Sequence, residues 1–376
     1  MRVLLLHNRY RAEGGEERAV RDLAALLRAR GHEVGVLERD SGERSAAAAA
    51  AGLLRGGVKP EEVTAAVRRL RADVVHAHNL HPLLGWRALA AARSAGARTV
   101  LHLHNYRLFC AIAIAYRDGA PCARCHGRNT LPGLRLGCRG SLTEAAVYAA
   151  GLARQQPALL READALVTVS AATATRLRAG VGAAAERAVV LPNFVAAGAF
   201  AAASRADVGT YALVAGRLVE EKGFDTAITA AGRSGVPLLI AGEGPDEPRL
   251  RALAAGAEVR FAGRLRPEAL AEARAGAAVV LVPSRWEEPC PYAVLDAMAA
   301  GVPVLVSDRG GLPETVGPGE ALPAEDTAAW RRALRELWSD PQSRRASGGR
   351  ALERARARFG EDRYYEALLA VYSGDG

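Results

Sequence analysis

Lysine is almost missing from this chain. Of 50 basic residues only Lys59 and Lys222 are lysines, which leaves 48 arginines (50 − 2). Such a bias makes much of the +9 net charge compositional. With no long Lys/Arg block, nucleic acid is not an expected partner. No apolar run is long enough to span a bilayer. The N-terminal Met1–His7 stretch is too short for a signal peptide, and no cleavage site follows it. The expectation is a cytoplasmic protein whose cysteines are reduced thiols or metal ligands. Histidine is absent beyond His126, and of five cysteines only Cys290 lies outside positions 110–138. Proton-transfer and metal-ligating side chains are therefore confined to the first half. At 376 residues, half of them apolar, the chain can build two cores.

Short apolar runs alternate with longer Ala/Leu/Arg stretches of helical period, the pattern of βαβ units and a parallel sheet. The strand candidates are Val3–His7, Glu33–Leu37, Asp73–Ala77, Thr99–His102, Ala165–Val169 and Val189–Leu191, then Tyr211–Ala215, Leu238–Ala241, Val259–Phe261, Val279–Val282 and Val304–Ser307. Residues 195–208 are small and featureless and read as a linker. The fold class is thus α/β, with a Rossmann-like domain over 1–194 and a second over 209–358. Two such domains would face a central cleft at the carboxyl ends of their strands. Ala46–Ala51 reads as either a helix start or a loose loop, and Arg344, Arg345, Arg350, Arg354, Arg356 and Arg358 as a solvated helical face or a contact with an anionic membrane.

Lys222 lies in Gly216-Arg217-Leu218-Val219-Glu220-Glu221-Lys222-Gly223-Phe224, directly after a strand. A strand, a Gly-Arg turn and a compact ammonium before a helix make a cradle for a nucleotide diphosphate. Gly14-Gly15 follows the first strand and opens a helix whose N–H groups suit an anion. His76 and His78, and likewise His102 and His104, stand at alternate positions near a strand end, so each pair points one way. The most specific segment is Pro283 to Met298, in which Glu288 and Asp296 are separated by a loop-to-helix turn. One carboxylate suits a sugar and the other two vicinal ribose hydroxyls.

Taken in order, Gly14-Gly15, Gly216-Arg217…Lys222-Gly223, Ala241-Gly242-Glu243-Gly244-Pro245 and Glu288-x7-Asp296 resemble a family 4 glycosyltransferase of the GT-B fold, the retaining, nucleotide-sugar-dependent kind. His104-Asn105-Tyr106-Arg107-Leu108-Phe109-Cys110 is similar to one subgroup of it. The resemblance implies hexosyl transfer in which Arg217 and Lys222 hold the donor diphosphate and stabilise the leaving group. It places Glu288 by the donor sugar and Asp296 on the ribose. Gly216, Gly242, Cys290, Pro291 and Tyr292 complete the donor loops. His104 would contact the transferred sugar and Gly15 would approach the diphosphate. Residues 359–376 would form a helix packing back on the first domain. Two departures stand out: the family's second glutamate is Asp296 here, and Pro289 and Pro291 bring no N–H to the sugar-reading loop.

No Asp-x-Asp occurs in the chain. Cations of the protein would then do the work of a metal, and no cofactor is expected for catalysis. Within an insertion at 107–140, Cys110, Cys122, Cys125 and Cys138 are spaced as ligands of a structural zinc, with free thiols and disulfides as the alternatives. The donor base is read first as UDP and second as GDP. The acceptor is a hydroxyl on a soluble molecule or a lipid-linked saccharide, the latter implying peripheral contact with the inner membrane face. A GT-B epimerase and a non-catalytic GT-B scaffold are the rival readings.

Overall fold

The alternating runs fold into two parallel sheets in a computed structural model that describes residues 1–9 and 14–374. Every apolar run named above becomes a strand, to within three residues at its ends. The first half holds β1 (Arg2–Arg9), β2 (Glu33–Asp40), β3 (Val74–Ala77), β4 (Arg98–Leu103), a short hairpin of β5 (Tyr116–Arg117) and β6 (Ala120–Pro121), β7 (Ala165–Thr168) and β8 (Ala188–Val190). The second holds β9 (Ala212–Ala215), β10 (Leu238–Ala241), β11 (Val259–Phe261), β12 (Val279–Val282), β13 (Val304–Ser307) and β14 (Ala321–Leu322). β14, only two residues long, carries no apolar run that composition could reveal.

One compact unit comprises 1–115, 122–192 and 364–376, the other 116–121 and 193–363. The first sheet has the order β2-β1-β3-β4-β7-β8 and the second β11-β10-β9-β12-β13-β14, all neighbours parallel. Chain order therefore reverses between β1 and β3 in one sheet and between β9 and β12 in the other. At such a switch point the loops leaving two adjacent strands diverge and open a crevice for a ligand. β3, β10 and β12 are buried along their whole length, as strands covered on both faces must be. In the second unit Val214, Ile240 and Leu281 pack with Phe224, Ile228 and Trp330 from the covering helices.

The Ala46–Ala51 run is the start of the helix Ala46–Arg55, capped by Ser45, whose Oγ accepts from the Ala48 N–H at 3.2 Å. Residues 195–208 are not a loose tether. Val195 is fully buried and pairs with Gly360, and the Ser204 hydroxyl donates to the Gly301 carbonyl at 2.6 Å. Nor do the C-terminal arginines form one solvated face. Arg344 is buried and donates to the carbonyls of Ala206, Asp207 and Leu337, while Arg354 donates to those of Thr315 and Glu314. Their guanidinium forks tie loops of the second unit together, which leaves the membrane-facing reading with fewer free charges.

Candidate active site

The second unit gathers its chemistry at the β9/β12 switch point. Gly216 and Arg217 follow β9, and a 3-10 turn over Glu220–Lys222 leads to the helix Phe224–Gly232. Gly223 has φ +68, and a Cβ there would land on the Pro283 carbonyl oxygen, so the cradle packs directly on the start of the loop leaving β12. Gly242, after β10, has φ +147, and its Cβ would strike the Gly216 carbonyl oxygen. Only glycine allows these backbones to approach so closely.

Lys222 is ion-paired and hydrogen-bonded to Glu288, which is almost wholly buried, and it also lies over the Trp286 ring. The Ser284 hydroxyl donates to the same Glu288 oxygen at 2.7 Å, and the Ser307 hydroxyl fixes the Ser284 carbonyl at 2.6 Å. Glu288 is thus a locked anion that aims the ammonium. Arg217 differs: its side chain is 68% exposed and only 4.0 Å from Glu221, a cation held out toward solvent. Asp296 sits in the helix Tyr292–Ala299 and pairs with Arg274 at 3.2 Å. Asn193 donates to the Cys290 carbonyl at 2.8 Å, and Gly311 N–H to the Glu288 carbonyl at 2.7 Å, so the loop's own backbone is anchored on both sides. Burial pushes the Cys290 thiol up to about 12, which keeps it neutral and inert. Pro291 precedes the first turn of the Tyr292–Ala299 helix, whose positive end lies in this loop. Arg274 and Asn193 are absent from the sequence reading, and Ser284 stands in it only as one residue of the Pro283–Met298 segment. No local pattern singles out Arg274 or Asn193, because Asp296 and Cys290 come beside them only in the fold.

The first unit has its own collection at the β1/β3 switch point. Gly15 opens the helix Gly15–Ala29, and the Gly14 N–H donates to the Glu17 carboxylate at 2.8 Å. Glu16 accepts from the Asn105 amide, while Glu17 faces His7 at 3.5 Å. The two alternate histidine pairs meet. β3 and β4 run in register Ala77↔Leu101, so His76, His78, His102 and His104 stack ring on ring, with centroids 4.2 to 5.4 Å apart. His78 Nδ1 and His104 Nε2 are 2.9 Å apart, and His76 Nδ1 meets the Tyr372 hydroxyl at 2.8 Å. Burial, reinforced by the charge of His104, pushes His76 down to about 3, and burial likewise holds His78, His102 and His104 well below the usual imidazole range. These are neutral rings at physiological pH.

The four insertion cysteines are half-buried and form no disulfide. Burial first, then the neighbouring Cys110, Cys138 and Cys122, push Cys125 up to about 11. Among the described residues, only His76, His78 and His102 place three ligand atoms within 4.8 Å of one another, so the sulfurs are neighbours without a closed ligand shell.

Comparison with known proteins agrees with this layout. Residues 13–197 match the model of Glycosyltransferase Family 4, and residues 201–354 that of Glycosyl transferases group 1. Both halves of the chain are thus glycosyltransferase domains, the first of family 4. This glycosyltransferase is 38% identical over 152 residues to a GDP-mannose-dependent monoacylated alpha-(1-6)-phosphatidylinositol monomannoside mannosyltransferase of Corynebacterium glutamicum. That match takes in 36% of this chain and 40% of the relative, less than half of its length. It is 29% identical to a glycogen synthase of Mycobacterium tuberculosis over 99% of this chain and 94% of that protein. Among solved structures, the sucrose-phosphate synthase of Thermosynechococcus elongatus aligns with TM-score 0.73 at 20% identity, covering 100% of this chain and 99% of that one. Anabaena HepE in complex with UDP aligns with TM-score 0.69 at 18% identity over 100% of both chains. These structural likenesses establish the GT-B fold. Among the described residues, no helix is long and apolar enough to cross a membrane.

Proposed function

We propose that this chain transfers a hexosyl group from a nucleoside-diphosphate sugar to an acceptor hydroxyl, with retention of anomeric configuration and without a metal on the diphosphate. The observation that carries the reading is the Lys222 ammonium, fixed on buried Glu288 beside glycines that only close backbone approach explains. Lys222 and Arg217 take the diphosphate oxygens, the first as a positioned point charge and the second as an exposed one. Asp296, oriented by Arg274, accepts from the ribose hydroxyls. N–H groups at the positive end of the Tyr292–Ala299 helix supplement the donor loop. His104 and Gly15 belong to the side that receives the acceptor and the transferred sugar.

Retention follows if the acceptor attacks from the face the diphosphate leaves, the departing phosphate oxygen taking the acceptor proton. Glu288 is a poor nucleophile for a double displacement, because it is buried and already accepts from Lys222 and Ser284. As donor we keep UDP first and GDP second, although the Corynebacterium relative is named for GDP-mannose. We also keep a structural zinc on Cys110, Cys122, Cys125 and Cys138 of the turn-rich insertion, four thiols that a bound ion would have to draw together.

The test is a thermal-shift panel of UDP, GDP, ADP and TDP, followed by NMR of the product made with the sugar of the winning base. One diphosphate at 100 times its Kd should add about 2.7 kcal/mol, with magnesium and manganese neither required nor stimulatory. No shift with any diphosphate would remove the donor site, and an inverted product would overturn retention.

A further inference from the structure

We propose that His76, His78 and His102 form a binding site for a divalent transition-metal ion that prefers imidazole, such as zinc, cobalt or nickel. All three side chains are buried, and each offers a ring nitrogen within 4.8 Å of the other two. The His76 Nε2 to His102 Nδ1 separation is 3.2 Å. Two nitrogens at about 2.0–2.1 Å from a tetrahedral ion stand about 3.3 Å apart, so this edge needs little adjustment.

The surroundings match what ligating histidines need. A metal-bound imidazole is oriented by a partner on its other ring nitrogen. His76 has the Tyr372 hydroxyl on Nδ1 and His78 has His104 on Nδ1, so both turn Nε2 inward. His78 Nε2 is buried with no hydrogen-bond partner. A purely hydrogen-bonded stack would leave that nitrogen unsatisfied; an ion takes up such a lone pair. His78 and His102 also line a cavity of about 30 Å³, bounded further by His104, Asn79, His81 and Glu16. That is room for about one water, which is the fourth ligand an open three-histidine site keeps. An all-nitrogen donor set selects against calcium and magnesium, which take oxygen.

The experiment is elemental analysis and cobalt titration of untagged, chelator-treated full-length protein. The Cys122→Ser/Cys125→Ser variant serves alongside it, to remove any thiolate-bound ion. One equivalent is expected in that variant, with tetrahedral d–d absorption and no sulfur-to-cobalt charge transfer. His102→Gln and His78→Gln should abolish it, while His81→Gln, in the same cavity wall, keeps it. Tyr372→Phe removes a single hydroxyl and should weaken uptake about 10-fold or more, a readout that survives if the histidine variants fail to fold. Protein that takes up no cobalt, uptake that vanishes with the cysteines, or uptake indifferent to His78, His102 and Tyr372 would each overturn the site.

Discussion

Replacing Lys222 with methionine tests whether Glu288 is held as a buried anion by that ammonium. The Lys222 side chain is 22% exposed and that of Glu288 only 4%. Breaking a fully buried pair by removing one partner costs about 3–5 kcal/mol. Here Ser284 still donates to the carboxylate and water reaches the lysine end, so we expect about 2–3 kcal/mol. In a unit of this size that is about 4–12 °C in Tm. The Lys222→Met/Glu288→Gln double variant should regain most of the loss, since a neutral amide keeps an acceptor for Ser284 and leaves no bare charge. Three of the four tryptophans (Trp286, Trp330 and Trp338) lie in the second unit, so urea melts followed by tryptophan fluorescence report chiefly on it. Both variants should also lose the diphosphate-induced shift. A single variant within about 0.5 kcal/mol of the parent, or a double variant no more stable than the single, would show that the pair is not buried in the sense argued.

Gly242→Ala should destabilise the second unit by about 2–4 kcal/mol and abolish diphosphate binding, because its Cβ would strike the Gly216 carbonyl at φ +147; a thermal melt with and without the diphosphate checks both. Asp225 is held below the usual carboxylate range: burial alone would raise it, but the Arg285 hydrogen bond and the charges of Arg285 and Arg249 outweigh that. A depressed folded value stabilises above the ordinary carboxylate pKa and is lost as pH falls through the folded one. Asp225→Asn should therefore cost about 1–2 kcal/mol at neutral pH, a difference that disappears in acid; urea melts at equal loss across pH would refute it. Cys122→Ser/Cys125→Ser should remove one zinc equivalent showing thiolate-to-metal charge transfer after cobalt exchange, and unchanged metal content would end the structural-zinc reading.

Local features of the sequence announced much of this. The Val279–Val282 run is a strand over those same residues because a central parallel strand must be apolar on both faces. Lys222 was conspicuous because nearly every other cation is arginine, and Glu288 because it opens a loop of fixed spacing to Asp296. Long-range partners were not legible. Arg274 has no motif of its own, and Tyr372 reaches His76 only because residues 364–376 join the first unit. The C-terminal arginines misled for the same reason: helical spacing predicts which face they share, not that Arg344 finds carbonyls 137 and 138 residues away.

The histidines show where the boundary between the two kinds of information runs. Alternation along β3 and along β4 is a one-strand property, and it fixes that His76 and His78 share a face, as do His102 and His104. Whether the two pairs meet depends on the register between the strands, and a one-residue slip would have sent one pair to the opposite face. The observed Ala77↔Leu101 register brings them together at the β1/β3 switch point. The second sheet does the same with different chemistry, its Arg217–Lys222 loop leaving β9 and its Ser284–Glu288 loop leaving β12 on either side of the reversal. In both units the polar side chains collect beside the reversal of strand order, where loops leaving neighbouring strands carry them and the surrounding elements bury His76, His78, His102 and Glu288.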